Sequence, residues 1–230
     1  MKEHSVLNYI SKVLKNMPSD WLNLTTHRLD IYDEKLAKVQ FLTQFEHLFR
    51  GLNSETSALN ELPTAFDYIR LGHPLSCILE WVIARVNGLD PNNVISFSSK
   101  TIPVLAILRA NLLEGTDTLI TYSGQWPEAL DLHILKDIYG YRFDLKQVNH
   151  IGDIPEFNGS TIFITQQEDP CTLELSPNID FFITTHPDTG SVLSVHGAQN
   201  ERYIADIQHV RRRETIAMTP ANCLATLRLI

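Results

Sequence analysis

The feature that most constrains this chain is a regular alternation of strand-like and helix-like stretches from Phe66 to the C-terminus. Short apolar or β-branched runs with strand character occupy residues 93–97, 118–122, 143–148, 161–164, 179–183 and 192–195. Predicted helices occupy residues 74–86, 102–113, 127–139, 200–213 and the stretch after the Thr219-Pro220 cap. Strands separated by helices of about a dozen residues indicate a mainly parallel sheet covered on both faces. We therefore expect an α/β fold.

The N-terminal part of the chain has a different pattern, with two helices and no strand. Apolar residues recur at helical spacing through the first of them until Pro18, and a second amphipathic stretch begins near Asp33 and stops at Gly51. Residues 52–65 are rich in Asn, Ser, Thr and Pro, which is typical of a linker. We therefore predict a helical N-terminal extension at 1–51, a linker at 52–65 and an α/β domain at 66–230.

Charge and cysteine content limit the partners and the compartment. The net charge of −8 argues against nucleic acid and against an anionic membrane as partners, because both require a basic surface. The basic run at 211–213 is predicted to be a solvated helix face. Cys77, Cys171 and Cys223 form neither a disulfide framework nor a paired metal motif, and no apolar run is long enough to span a bilayer. We expect a soluble cytoplasmic protein.

Common catalytic signatures are absent from the sequence. There is no GxGxxG after the first strand, no GxxxxGK[ST] phosphate loop, no GxSxG and no HExxH. None of the nine histidines stands at a metal-ligand spacing from another His, Cys or carboxylate. The sequence on its own therefore offers no strong catalytic motif.

Several segments do follow the order of a known family. D-Y-I-R-L-G-H-P at 67–74 is similar to the pattern D-Y-x-R-x-x-N-P, and F-S-S-K at 97–100 is similar to an F-S-S-G turn before a phosphate-facing helix. Residues 114–118, 161–170 and 211–228 continue the series. On these residues the chain resembles a shortened, degenerate member of the Cys/Met-metabolism enzymes, the cystathionine gamma-synthase and beta-lyase group of pyridoxal phosphate (PLP) transferases of fold type I.

The resemblance implies a phosphate-contacting pair at Tyr68 and Arg70, which in that family reaches across a dimer into the neighbouring subunit. A guanidinium fork suits a phosphate dianion. The alternative is that both side chains only anchor the linker to the domain surface.

The resemblance also places the cofactor phosphate at the turn Ser98, Ser99, Lys100 and Thr101. The serines can cap the following helix, and the free N–H groups at a helix start favour an anion. Lys100 replaces the glycine of the family, so it either contacts a phosphate or fills the space where backbone N–H groups approach one. Serine as a plain helix cap remains the alternative.

Two further positions match the ring-binding residues of the family. Trp126 falls near the tyrosine that stacks on the PLP ring, although it can equally pack at the start of a helix. Asp169 replaces an asparagine that contacts the ring hydroxyl, where a carboxylate accepts hydrogen bonds but cannot donate one.

The residues that perform PLP chemistry in the family have no counterpart here. The Schiff-base lysine should follow the strand at 180–183, where the chain reads T-T-H-P-D, and no lysine occurs after Lys146. About nine residues bridge the interval in which the family has a strand ending in the pyridine-binding aspartate. The chain also ends where the family begins its small C-terminal domain. Covalent PLP catalysis is therefore not expected.

Three functions stay open. The first is a pseudoenzyme that acts by self-association or by association with a related PLP enzyme, its N-terminal helices serving as a docking arm or as part of the core. The second is non-covalent binding of PLP, or of another phosphate-bearing ligand of sulfur amino-acid metabolism, at 98–101. The third is a non-PLP activity of Asp169, His186 or Asp188 near the carboxyl ends of strands.

Overall fold

The computed structural model describes residues 2–23, 34–63, 69–167, 169 and 171–230. The helices are α1 (Lys2–Asn16), α2 (Glu34–Arg50), α3 (Thr56–Asn60), α4 (Pro74–Asn87), α5 (Ile102–Glu114), α6 (Arg202–Glu214) and α7 (Pro220–Leu229). The strands are β1 (Val94–Phe97), β2 (Thr118–Tyr122), β3 (Phe143–Gln147), β4 (Ser160–Gln166), β5 (Phe181–His186) and β6 (Gly190–Val195). In the described parts of the chain no helix is both long and apolar enough to cross a membrane.

The six strands form one sheet in the order β1-β6-β5-β4-β2-β3. Neighbours among β2, β3, β4 and β5 pair in parallel, whereas β6 runs antiparallel to both β5 and β1. The prediction of an α/β fold with a mainly parallel sheet is confirmed. The reversal at β6 follows from the short turn at 187–189, because only antiparallel neighbours can be joined without a crossover.

Each face of the sheet carries its own layer of helices, as the alternation of side chains along the strands requires. Ile95 and Phe97 of β1 share one apolar cluster with residues of α5 and α6. Val94 of the same strand belongs to a second cluster, with residues of α1, α2, α4 and α7. A smaller cluster on that second face is built around Phe163 and Phe182.

The two N-terminal helices are part of the second layer. Tyr9 on α1 and Phe45 on α2 are fully buried, and the rings of Phe45 and Trp81, a residue of α4, meet edge to face with centroids 5.3 Å apart. Of the two roles considered for these helices, packing within the core is the one seen. Within the predicted linker, residues 56–60 form α3, which buries Leu59.

Two sequence-based expectations are wrong. The predicted helix at 127–139 is helical only at 132–138, where Ile134–Ile138 adopt π-helical geometry. Its first part is instead a turn, closed by a 2.9 Å hydrogen bond from Leu130 N to Pro127 O. The basic run at 211–213 is not a wholly solvated face, because Arg211 is only 6% exposed.

Arg211 is buried because it pairs with a buried carboxylate beside the edge strand β1. Glu80 on α4 lies 2.6 Å from Lys38 Nζ and 3.2 Å from an Arg211 guanidinium nitrogen. The same charged groups bond the backbone of β1: Lys38 donates to Val94 O, and Arg211 donates to Ser96 O. The side chains of this buried ion cluster (Lys38, Glu80 and Arg211) thus take the place that a further strand would occupy.

Candidate functional site

The carboxyl ends of β1, β2, β4 and β5 meet at one edge of the sheet, because these strands all point the same way. Ligands of open α/β sheets bind at this edge. The segments that leave it begin at 98–101, at 123–126, at Gln167 and at 187–189, and the described residues of these segments include most of the predicted site residues.

Ser99 caps α5. Its Oγ accepts hydrogen bonds from the backbone N–H groups of Thr101 and Ile102, both at 3.2 Å, and its carbonyl accepts one from Ser191 Oγ at 2.6 Å. Pro103, the second residue of α5, has no N–H group. Two of the donors that an anion would use at this helix start are therefore engaged, and a third does not exist.

The other hydroxyls of this turn also contact protein atoms. Ser98 N donates to Ile216 O at 3.2 Å, and Ser98 Oγ lies 3.4 Å from Thr215 Oγ1. Thr101 Oγ1 is 3.3 Å from Ser99 Oγ. Ser98 is thereby directed at the loop that precedes α7, while Ser99 and Thr101 face each other.

Lys100 has an exposed side chain whose ammonium donates a hydrogen bond to the carbonyl of Pro187. Pro187 is the first residue after β5 and belongs to the T-T-H-P-D stretch at 184–188. Gly190, the first residue of β6 after this turn, also packs closely on the end of β1, since a Cβ added to it would stand 2.2 Å from Phe97 O. The turn at 98–101 and the turn at 187–189 thus form one structural unit.

Trp126 is half-buried and packs within the protein. Its indole N–H donates to Leu130 O at 2.7 Å, and its ring meets Tyr122 edge to face with centroids 5.4 Å apart. Trp126 therefore closes the turn that replaces the first part of the predicted helix, which is the packing alternative considered for this residue.

Asp169 organises the loop after β4. One carboxylate oxygen accepts from Cys171 N at 2.8 Å and the other from Thr172 Oγ1 at 3.0 Å, although the side chain is exposed. At the end of β5, His186 Nδ1 accepts a hydrogen bond from Asp188 N at 3.1 Å. Both contacts are local turn interactions, and neither joins Asp169 to His186 or Asp188.

Tyr68 lies outside the described residues, and Arg70 has an exposed side chain. The backbone on each side of Arg70 is fixed: Ile69 O accepts from Ala217 N at 3.1 Å, and Leu71 O accepts from Arg211 at 3.0 Å. The phosphate-contacting role of Tyr68 and Arg70 stays a prediction.

Strand β4 pairs directly with β5, with Ile162 opposite Phe181 and Gln166 opposite Thr185. No strand therefore lies between them, and the described residues of the connection at 167–180 form neither helix nor strand. The direct pairing of β4 with β5 agrees with the short stretch of sequence between them, in which the family that this chain resembles would have a further strand.

The sequence reasoning missed a buried histidine. His73 Nδ1 accepts from Ser76 N at 3.1 Å, so its Nε2 carries the proton and donates to Met218 O at 2.7 Å. Burial lowers the pKa of His73 to about 4. The ring is thus a neutral cap that joins the start of α4 to the segment before α7. Its sequence signal is its position before Pro74, with a serine three residues on.

The buried thiols of Cys77 and Cys223 are inert by the same physics. Burial raises the pKa of Cys77 to about 12 and that of Cys223 well above its usual value, which disfavours the reactive thiolate. No group of three or more His, Cys, Asp or Glu side chains arranged to hold a metal ion occurs among the described residues.

Comparison with known proteins gives a likeness of fold alone. No protein-family model matches the chain, and no curated protein matches it. Cystathionine gamma synthase from Xanthomonas oryzae pv. oryzae, in complex with cystathionine, is similar with a TM-score of 0.50 and 11% identity over 96% of this chain and 62% of that one.

Two further solved structures have TM-scores just below 0.50. Corynebacterium glutamicum metB has a TM-score of 0.48, with 13% identity over 74% of this chain and 54% of that one. The Xanthomonas enzyme in complex with aminoacrylate and cysteine has a TM-score of 0.47, with 13% identity over 74% and 53%. The chain thus spans between about half and three-fifths of the length of these proteins.

Proposed function

We propose that this chain is a non-catalytic, distant relative of the cystathionine gamma-synthase-like PLP enzymes and that it acts through protein association. The observation that carries the proposal is the stretch T-T-H-P-D at 184–188, which forms the end of β5 and the start of the following turn and contains no lysine. The direct pairing of β4 with β5 supports it, because it leaves no place between them for the strand that would carry the ring aspartate.

The physical reason is the electron demand of PLP chemistry. In the family that this chain resembles, a lysine holds the cofactor as an aldimine, and a carboxylate keeps its pyridine nitrogen protonated so that it withdraws electrons from the substrate. Lys100 is the described lysine whose amine contacts the segment after β5. A test must therefore exclude that Lys100 forms an aldimine with PLP.

The test is labelling at one equivalent of PLP, followed by borohydride reduction and peptide mapping. Reduction fixes any aldimine as a stable secondary amine at the lysine that formed it. We expect low, scattered labelling of exposed lysines, and Lys100→Arg should leave the labelling of the other lysines unchanged. Stoichiometric labelling of a single lysine would contradict the proposal.

Association is supported by the exposed guanidinium of Arg70 on a backbone that is fixed on both sides. The partner is a second copy or a related active enzyme. Light scattering after size exclusion tests self-association, and co-purification tests association with such an enzyme. Arg70→Ala is the comparison in both experiments. A protein that is strictly monomeric and captures no related enzyme would remove this role.

A second candidate is non-covalent binding of PLP or another phosphate-bearing ligand at the turn 98–101. The observation in its favour is the exposed ammonium of Lys100 beside the N-terminus of α5, where the helix dipole adds to its positive charge. Calorimetry with PLP and with inorganic phosphate, repeated with Lys100→Gln, tests this candidate. Absence of heat in the unmodified protein would exclude it.

A further inference from the structure

The outer edge of β3 is the open end of the sheet. β3 stands last in the strand order, and among the described strands it pairs with β2 alone. The N–H of Val148 donates to Tyr122 O, so the alternation of the strand directs the backbone of Asp144 and Lys146 toward β2. The backbone groups of Phe143, Leu145 and Gln147 then point outward. Among the residues that the structure describes, none bonds to this outer edge.

An antiparallel pair of two β3 strands fits these outward groups. If a two-fold axis passes beside Leu145, Leu145 faces its own copy and Phe143 faces Gln147 of the second copy. All of these are residues whose N–H and C=O groups point outward, so each facing pair exchanges both of its hydrogen bonds. The strand is therefore complementary to itself in its backbone.

The charges of β3 select this register. Asp144 and Lys146 are both exposed and lie on the same face of the strand. With the axis at Leu145, Asp144 of each copy stands opposite Lys146 of the other. An axis at either charged residue would place like charges opposite each other. Opposite charges that face each other across antiparallel strands stabilise the pair, and like charges destabilise it.

Apolar surface lies next to this edge. Ile138 and Tyr139 are 65% and 55% exposed, and Ile134 is 40% exposed. They belong to the segment that leads into β3, where the ammonium of Lys136 sits 4.7 Å from the centre of the Phe143 ring. A strand pair alone buries less than the roughly 1,200 Å² of a stable interface, so exposed apolar side chains beside it supply area that the pair needs.

We infer that two copies of this chain associate by antiparallel pairing of β3 with β3 about an axis at Leu145. This pairing gives a surface for the self-association proposed above, and it therefore rests on the proposal that the chain self-associates. The second copy extends the sheet by main-chain hydrogen bonds, with Asp144 and Lys146 fixing the register.

A charge-swap series tests the pairing by light scattering and analytical ultracentrifugation. The unmodified protein and the double variant Asp144→Lys/Lys146→Asp are expected to be dimers. The single variants Asp144→Lys and Lys146→Asp are expected to weaken dimerisation at least tenfold, because each places like charges opposite each other. Circular dichroism and the melting temperature verify that each variant folds, which matters because Lys146 Nζ also donates to Asp153 O.

Leu145→Pro is the independent variant, since proline removes the central outward N–H and is tolerated on an edge strand. It is expected to give a folded monomer. A monomeric unmodified protein, single variants that dimerise as well as the unmodified protein, or a double variant that stays monomeric would each overturn the inference. A dimer that survives the whole series but is lost in Arg70→Ala would also overturn it, while leaving self-association in place.

Discussion

Glu80 on α4 accepts hydrogen bonds from both the backbone N–H and the hydroxyl of Ser96 in β1, at 2.8 and 2.7 Å. Burial alone would raise the pKa of this carboxyl, but the adjacent charges of Lys38 and Arg211 hold the pKa below its usual value. The carboxylate is therefore ionised in the core, where it joins one helix, one strand and two cations from distant parts of the chain.

Removing this carboxylate should severely destabilise the fold. Glu80→Ala leaves Lys38 and Arg211 buried without a counter-charge, and breaking a buried ion pair in this way costs about 3–5 kcal/mol. Urea unfolding measures the change. The matched control is Glu114→Ala, which breaks an exposed pair with Arg202 and should cost less than about 1 kcal/mol. Equal losses in the two variants would disprove the role given to the cluster.

Stability should depend on pH through His73. Its pKa of about 4 in the folded protein lies below the ordinary value of 6.5, so the unfolded chain binds a proton that the folded protein rejects between these values. The contribution of neutral His73 is complete above pH 6.5 and is lost as the pH falls toward 4, by about 3 kcal/mol in all. His73→Asn keeps a capping side chain and cannot titrate. Its unfolding free energy should fall less steeply than that of the unmodified protein between about pH 6.5 and pH 5.

A side chain at Gly190 should separate the start of β6 from the end of β1. The backbone φ of Gly190 is +127°, and a Cβ there would overlap the carbonyl oxygen of Phe97. Gly190→Ala should therefore cost more than Gly140→Ala, where φ is also positive but no atom lies within 4 Å of the added carbon. The control should lose about 1–2 kcal/mol from backbone strain alone. Similar melting temperatures for both variants would rule out the close packing of the two turns.

The two serines after β1 should differ in their contribution to stability. Ser99→Ala removes the cap of α5 and should cost about 1 kcal/mol. Ser98→Ala removes only contacts of 3.4 Å and should change the unfolding free energy by less than about 0.5 kcal/mol. Chemical denaturation of the pair makes the comparison, and a larger loss at Ser98 would contradict the capping assignment.

The sequence predicted the elements that local patterns determine. The Thr219-Pro220 start of α7 is confirmed, with Thr219 Oγ1 accepting from Asn222 N at 3.2 Å. The stop of α2 before Gly51 is confirmed as well. Both the start of α7 and the end of α2 depend on residues that lie within one helical turn of each other, so the signal is local in the sequence.

Features that depend on distant residues were not predicted. Arg211 looked like a solvated charge because Glu80, its counter-charge, lies 131 positions away along the chain. Glu80 itself was the available signal, as a single acidic residue in an otherwise apolar stretch of α4. The helix expected at 127–139 lost its first part because Trp126 bonds to Leu130 O and closes a turn there. The spacing of apolar residues alone does not predict a hydrogen bond of this kind between a side chain and the backbone.

The buried ion cluster beside β1 also limits where the sheet of this protein can be extended. A sheet with two exposed edges can recruit copies without end and grow into a fibre. Here the charged side chains of Lys38, Glu80 and Arg211 occupy the backbone groups of one edge, so sheet extension is restricted to the other. Sheet extension from a single edge ends after one addition, so the β3 pairing inferred above would give a closed pair and no fibre.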